Sequence, residues 1–323
     1  MNRRDSRNNE PAKSSSELPT EQFSSAAALP TAVDVAAATH AGYVKPNNED
    51  HYLVIKFGRS LENVSSNLGK GLLARSYDVT GYGMFVADGM GGHASGEIAS
   101  RMSLTRLVEL LVETPDWILS LETQEYATTV LQRMKERFFQ IDETLRAEAE
   151  RINSLRGMGT TLTVAGTLGQ ELVIGHIGDS RAYLLRGGKF EQLTTDHTLA
   201  QALIDAGVAK PDDPATHSMR HVLTAALGSL GDVIQPQIHR TQVSVGDQLL
   251  LCTDGLTEMV GDEEISYVIT ESDSAQTACH DLVDLALRAG GLDNVTVVLA
   301  RFGSATVGAP LNVQAQSVAN LHP

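Results

Sequence analysis

Two cysteines in 323 residues leave no disulfide framework on which a small secreted fold could rest. Each lies in an apolar context, Cys252 after Leu-Leu-Leu and Cys279 in Thr-Ala-Cys-His-Asp-Leu, so both are expected as reduced core residues of a cytoplasmic protein. No apolar run approaches the ~20 residues a membrane-spanning helix needs. Arg3 and Arg4 are not followed by the apolar segment of a secretory leader. Basic residues are scarce, 25 Lys and Arg against 40 Asp and Glu. The resulting net charge of -15 argues against nucleic acid or an anionic membrane held by a general basic surface. What the chain has in excess is acid, which suits a protein that collects cations.

Residues 1–32 are rich in Ser, Asn, Glu, Pro and Ala without periodicity, and read as a disordered tail with too little apolar surface to offset ordering entropy. Residues 304–323 read the same way, leaving 33–303 as one folded domain. Strands are expected over Val33–Thr39, Tyr52–Phe57 and Gly83–Ala87, with polar Gly58–Tyr82 as a long hairpin connection before the last of them and a candidate surface insertion. Helices are expected over Ala94–Leu111, stopped by Pro115, and over Gln124–Ile152, where apolar residues recur every three or four positions. After Gly157 the period changes to two, and Thr160–Thr167, Leu172–Ile177, Ala182–Leu185 and Phe190–Leu193 read as one antiparallel meander. A helix over His197–Ala206 and a Pro/Asp-rich loop over Val208–Ser218 follow. Strands over Ile238–Val243, Leu249–Thr253 and Val295–Arg301 enclose helices over Glu263–Thr270 and Ala275–Ala289.

Acids stand where three of these strands meet loops: Asp88-Gly89 after Phe85-Val-Ala, Asp254-Gly255 after Leu249–Thr253, and Asp293-Asn294 ahead of Val295. One Asp-Gly pair is ordinary turn chemistry. Three such junctions, with Glu49-Asp50 at a strand start and Asp179 in a turn, point instead to a cation site. Carboxylates without clustered His or Cys select hard ions, Mg²⁺ or Mn²⁺ rather than Zn²⁺. The glycines at 89, 91, 92 and 96 let backbone approach an ion or a phosphate closely.

From about Val35 to Phe302 the chain resembles the protein phosphatase 2C family of metal-dependent serine/threonine phosphatases, in its bacterial form. The matching segments, in order, are Gly42-Tyr-Val-Lys-Pro-Asn-Asn-Glu-Asp50, Val86-Ala-Asp-Gly-Met-Gly-Gly-His93 with Gly96-Glu97, Gly159-Thr-Thr161, Gly178-Asp-Ser-Arg181, Thr195-Asp-His197, Leu223-Thr-Ala-Ala-Leu-Gly228, Cys252-Thr-Asp-Gly-Leu-Thr-Glu258 and Asp293-Asn-Val-Thr296. The resemblance implies an α+β fold, a four-layer α-β-β-α sandwich of two antiparallel sheets flanked by helices, making 33–303 a catalytic domain. It implies two Mg²⁺ or Mn²⁺ ions with Asp88 bridging them, the Gly89 carbonyl on one, and Asp254 and Asp293 completing the other. Glu49 and Asp50 would hold metal-bound waters, and Asp179 would help bind a third, weaker ion, with Glu258 where the family has its usual Asp partner. The implied activity is hydrolysis of phosphoserine and phosphothreonine in proteins by a water activated between the two metals, without a covalent intermediate. A bacterial Ser/Thr kinase would be the opposing partner, and the phosphatase a monomer. Consistent with this, no Cys-x5-Arg loop of a cysteine phosphatase is present. The reading set against it is a catalytically weak or inactive regulator that binds phosphoproteins.

The chain departs from the family in places. Lys45 stands where an arginine usually grips the substrate phosphate; it keeps the charge but loses the bidentate fork, so weaker phosphate binding is expected. His40 replaces a usual Asp. Met90 occupies the position of a proposed general acid in eukaryotic relatives, and His93 is expected to brace the glycine loop. His176 and His197 are expected to be structural, and the Val208–Met219 loop to lie over the cleft as a flap that, with the Gly58–Tyr82 stretch, selects substrate.

Overall fold

The computed structural model describes residues 32–65, 76–91, 95–115, 124–210, 213, 216, 218–229 and 234–304. Most of both expected tails, His93 and parts of the Val208–Met219 loop lie outside them. Eleven strands are present: β1 (Ala32–His40), β2 (Asp50–Glu62), β3 (Ser76–Met90), β4 (Gly159–Thr160), β5 (Leu162–Leu168), β6 (Glu171–Ile177), β7 (Arg181–Arg186), β8 (Lys189–Gln192), β9 (Gln237–Gln242), β10 (Gln248–Cys252) and β11 (Val295–Gly303). The helices are α1 (Ser95–Glu113), α2 (Gln124–Arg151), α3 (Leu199–Asp205), α4 (Asp254–Thr257), α5 (Asp262–Glu271) and α6 (Ala275–Arg288).

One antiparallel sheet runs β1-β11-β10-β7-β8; the other runs β2-β3-β5-β6-β9, with β4 paired to β3. Between them lies a core of Val35, Ala37, Met84, Val86, Ile174, Leu249, Leu251 and Val298. A second core packs α1 and α2, through Leu107, Phe138, Ile141 and Leu145, on the β2-β3 sheet. A third packs α5 and α6, through Ile265, Ile269, Cys279 and Leu282, on the β10-β11 sheet. Three apolar seams between four layers are the expected α-β-β-α sandwich. Period-two strands buried on both faces supply the middle seam and one outer seam each, which is why β10 and β11 read as continuous apolar runs. Cys252 and Cys279 are unpaired and buried, and burial pushes both thiols up to about 12. No helix among the described residues is long and apolar enough to cross a membrane.

Four expectations need correction. Gly58–Tyr82 does connect a hairpin, but its strands run much further than expected: β2 and β3 stay in register out to Glu62↔Ser76, so much of the stretch is a paired two-stranded arm. Its outer half is exposed, so no buried face imposes alternation and the strand signal vanishes. The strands after Gly157 are not one meander. β5 pairs with β6 and β7 with β8, but between β6 and β7 the chain crosses to the other sheet at Gly178-Asp179-Ser180. Gly178 takes φ +109°, and a Cβ there would lie 2.5 Å from the Thr161 methyl, so only glycine fits this crossing. Thr160–Thr167 is split at Thr161, and His197 lies ahead of α3, which Thr198 caps by accepting the Gln201 N–H.

Candidate metal centre

The acids converge because strand ends converge. Asp50 opens β2 and faces Asp88 near the end of β3 as its register partner. Directly opposed residues of an antiparallel pair share a sheet face, so the two carboxyls are held side by side. The Thr253 hydroxyl, at the end of β10, donates to Asp50 Oδ2 at 2.8 Å and accepts the Thr296 N–H of β11 at 3.0 Å, which ties the two sheets together. The next residue is Asp254, the first of α4. Asp293 sits in the turn before β11, its Oδ1 accepting the Asn294 N–H at 2.8 Å.

The loops around these acids are locked by backbone bonds. The Asp88 N–H donates to Thr161 Oγ1 at 2.9 Å, and its carbonyl accepts both the Thr161 N–H and the Thr160 hydroxyl, each at 2.9 Å. Gly89 donates its N–H to the Glu49 carbonyl; a Cβ on Gly89 would lie 2.1 Å from the Gly96 carbonyl oxygen, so the first turn of α1 can close on this loop only over glycine. Asn294 joins three segments, accepting the Glu49 N–H at 2.7 Å and donating to the carbonyls of Ala41 and Asn47 at 2.8 and 2.9 Å.

The result is a cleft of about 950 Å³ lined by Lys45, Glu49, Asp88, Gly89, Asp179, Asp254 and Asp293. Asp50 lies behind this wall, buried. Burial, followed by the fields of Asp254 and Asp293, pushes the Asp50 carboxyl up to about 7. Burial and Asp254 push Asp179 to about 8. Burial and the field of Asp50 hold Asp88 well above the usual carboxylate range, and burial with Asp293 raises Asp254. Asp50 Oδ1 and Asp254 Oδ1 are buried with no hydrogen-bond partner among the described residues. Charges packed this way are costly unless a cation joins them. An all-oxygen donor set with orphaned, buried carboxylate oxygens fits Mg²⁺ or Mn²⁺.

Lys45 Nζ is 2.8 Å from Asp293 Oδ1. Burial pulls this ammonium down, but the bond to Asp293 and the fields of Asp88 and Asp254 outweigh it and hold its pKa above the ordinary value. His40 has a local role, its Nδ1 accepting the Gly42 N–H at 2.9 Å. His197 brackets the Asp179 crossing, accepting the Gly178 N–H on Nδ1 and donating its own N–H to the Gly178 carbonyl. Its ring stacks on buried His176 at 5.2 Å, which burial and His197 hold down to about 3. Both are structural, as expected.

Sequence reasoning missed His221. Its Nδ1 lies 2.5 Å from Glu258 Oε1, and with Asp254 these two present ligand atoms within 4.8 Å of one another. The group forms the wall between the main cleft and a second one of about 430 Å³ that also includes Asp179 and Arg181. Nothing local announces it, because a single His after an irregular loop has no period and its acidic partners come from α4 and its C-terminal end.

A protein-family model described as Protein phosphatase 2C matches residues 74–284. Over 267 residues the chain is 37% identical to the serine/threonine protein phosphatase PstP of Mycobacterium tuberculosis, covering 82% of this chain and 44% of that protein. It thus spans less than half the length of that relative. Protein phosphatase PhpP of Streptococcus pneumoniae is 32% identical over 269 residues, 83% of this chain and 96% of that one. Among solved structures, the mycobacterial PstP/Ppp superposes with TM-score 0.67 at 33% identity, over 84% of this chain and 99% of that chain. The PstP catalytic domain in complex with two manganese ions gives 0.65 at 32% identity, over the same shares.

Proposed function

The chain belongs to the protein phosphatase 2C family, and we propose that it hydrolyses phosphoserine and phosphothreonine in proteins with two bound Mg²⁺ or Mn²⁺ ions. The observation that carries this reading is the gathering of Asp88, Asp254 and Asp293 from three strand junctions onto one cleft, with a buried Asp254 oxygen left without a partner. Asp88, the Gly89 carbonyl, Asp254 and Asp293 would hold the ions, with Glu49 and Asp50 around them and Asp179 toward a third, weaker one. When bound, the ions neutralise phosphoryl oxygens and make a water acidic enough to attack at neutral pH.

The chain's own residues do the rest. Lys45 places a charge at the cleft wall where the phosphate enters, and shares it with Asp293. Thr160 and Thr161 fix the Asp88 backbone, and Asn294 holds the Lys45 loop against the Asp293 turn. Met90 has no proton to give a leaving seryl oxygen, and among the described residues lining the cleft His221 is the one histidine. Phosphorylated proteins made by a Ser/Thr kinase are the substrates in this reading, and the enzyme works as a monomer in the cytoplasm, a compartment in which its two buried, unpaired cysteines stay reduced.

The test is release of phosphate from a phosphothreonine peptide by EDTA-treated protein before and after MnCl₂. Activity only after Mn²⁺, and none from Asp254→Asn, is expected. Undiminished turnover by Asp254→Asn would remove the metal reading, and tight phosphopeptide binding without turnover would favour the inactive regulator.

A further inference from the structure

Scattered exposed apolar residues are normal on a protein surface. Here, however, three of them lie on the segments that carry the cleft residues Lys45 and Asp293: Tyr43 and Val44, 69 and 63% exposed, and Leu292, 55% exposed and lining the neighbouring second cleft; Val222, 47% exposed, lines the main cleft itself. The first three project from two loops fastened to one another. The Tyr43 N–H donates to the Gly291 carbonyl at 2.7 Å, and Gly42, at φ +76°, lies so close that a Cβ would stand 2.3 Å from the Asp293 carbonyl oxygen. The Tyr43 ring packs on Gly291 and meets His40 edge-on at 5.9 Å. These side chains are therefore presented on rigid backbone, an arrangement that lowers the entropic cost of binding.

Each loop also carries a cleft residue at the next position. Lys45 follows Val44, Asp293 follows Leu292, and the two are joined at 2.8 Å. Consecutive residues of a peptide are about 3.8 Å apart. A phosphorylated residue seated at Lys45 thus brings its immediate chain neighbours onto the apolar rim.

We propose that Tyr43, Val44 and Leu292 form a docking rim for a large apolar side chain next to the phosphorylated Ser or Thr of the substrate, beside the cleft that Val222 lines. The proposal rests on the phosphopeptide reading above. Charge complementarity points the same way: Glu49, Asp179 and Asp293 in the cleft and a net charge of -15 oppose acidic residues at the flanking positions.

The experiment compares phosphothreonine peptides with Leu, Gly or Glu beside the phosphorylated residue, and uses p-nitrophenyl phosphate as a substrate too small to reach the rim. The wild-type kcat/KM should be about ten-fold higher for Leu than for Gly, the low end for a hydrophobic contact, lowest for Glu, and the difference should lie in KM. In the Val44→Ser, Leu292→Ser double variant the Leu-to-Gly ratio should fall below about two. Val44→Thr, which keeps the side-chain shape, should lower the ratio in the same direction and covers the case of a double variant that melts early. A wild-type enzyme that treats Leu and Gly alike, or a ratio that survives these substitutions while p-nitrophenyl phosphate is still hydrolysed, overturns the rim. Failure to hydrolyse any substrate in MnCl₂ overturns the phosphatase reading, and the rim with it.

Discussion

Stripped of cations, the protein should become more stable as pH falls from 8 to 6.5. Asp50 and Asp179 are buried carboxyls whose folded pKa values stand near 7 and 8, above an unfolded value near 4. The folded chain therefore holds protons that the unfolded chain has released, and stability declines as pH rises. The penalty is fully present above the folded pKa values and is relieved as pH drops through them. Integrated from pH 8 to 6.5, the two groups together contribute about 2 kcal/mol, and Asp88, raised further, adds in the same direction. For a domain of this size that is a rise in Tm of about 5 °C. Below pH 6.5 the gain is opposed. His176, held at about 3 by burial and by His197, stays neutral in the folded chain while it charges in the unfolded one. That is at most one proton against the two or more that Asp50, Asp179 and Asp88 take up in the folded chain, so His176 offsets only part of the gain and the metal-free optimum lies below pH 6.5. The assay is thermal melting in EDTA across this range, repeated in MnCl₂. Cations bind deprotonated carboxylates, so saturating Mn²⁺ should raise Tm more at pH 8 than at 6.5 and flatten or reverse the slope. Equal or greater stability of the EDTA-treated chain at pH 8, or an Mn²⁺ increment independent of pH, would refute the reasoning.

Asp254→Asn removes a buried charge beside Asp88 and Asp293, so the EDTA-treated variant should melt at or above wild type while losing most of the Mn²⁺ increment, as read by calorimetry with and without the ion. Lys45→Arg should lower KM for a phosphopeptide several-fold with little change in kcat, since a guanidinium can fork onto the phosphate while keeping a contact to Asp293; an unchanged or raised KM would show that Lys45 does not meet the phosphate. Asn294→Ala deletes three side-chain hydrogen bonds, to Glu49, Ala41 and Asn47, and should cost about 3 kcal/mol in urea unfolding. A loss below about 1 kcal/mol would mean that the two loops hold together without it.

The layers and the acids were legible in the sequence for different reasons. Strands such as β10 and β11 announce themselves because both faces are buried, and α2 because one face is. Pairing is another matter. Period two says that β5, β6, β7 and β8 are strands but not which sheet each joins, and the Gly178 crossing reads like a hairpin turn until β6 and β7 are seen in different sheets. The β2–β3 arm was hidden because exposed residues carry no burial alternation, and α4 because one turn has no period. The carboxylates were found because each stands where a strand meets a loop or turn. His221 was not, since its meeting with Glu258 and Asp254 is made wholly by tertiary structure.

Strand ends explain why the site lies where it does, and also why it is poised for a cation. A buried aspartate is ordinarily made tolerable by donors aimed at its carboxylate. In this fold the donors at the site are directed elsewhere: Thr160 to the Asp88 carbonyl, Thr161 through its N–H to that same carbonyl, and Asn294 to the loops carrying Ala41 and Asn47. Among the described residues of the site only Asp50 receives a hydroxyl, from Thr253, and one oxygen each of Asp50 and Asp254 receives nothing. The same side chains that fix the backbone thus leave the charges unneutralised. A sequence selected for stability alone would place Asn or Thr at these junctions, where they would remove the repulsion and keep the turns. Holding acids there at a cost to stability is what a centre requires when its missing partner is a divalent ion.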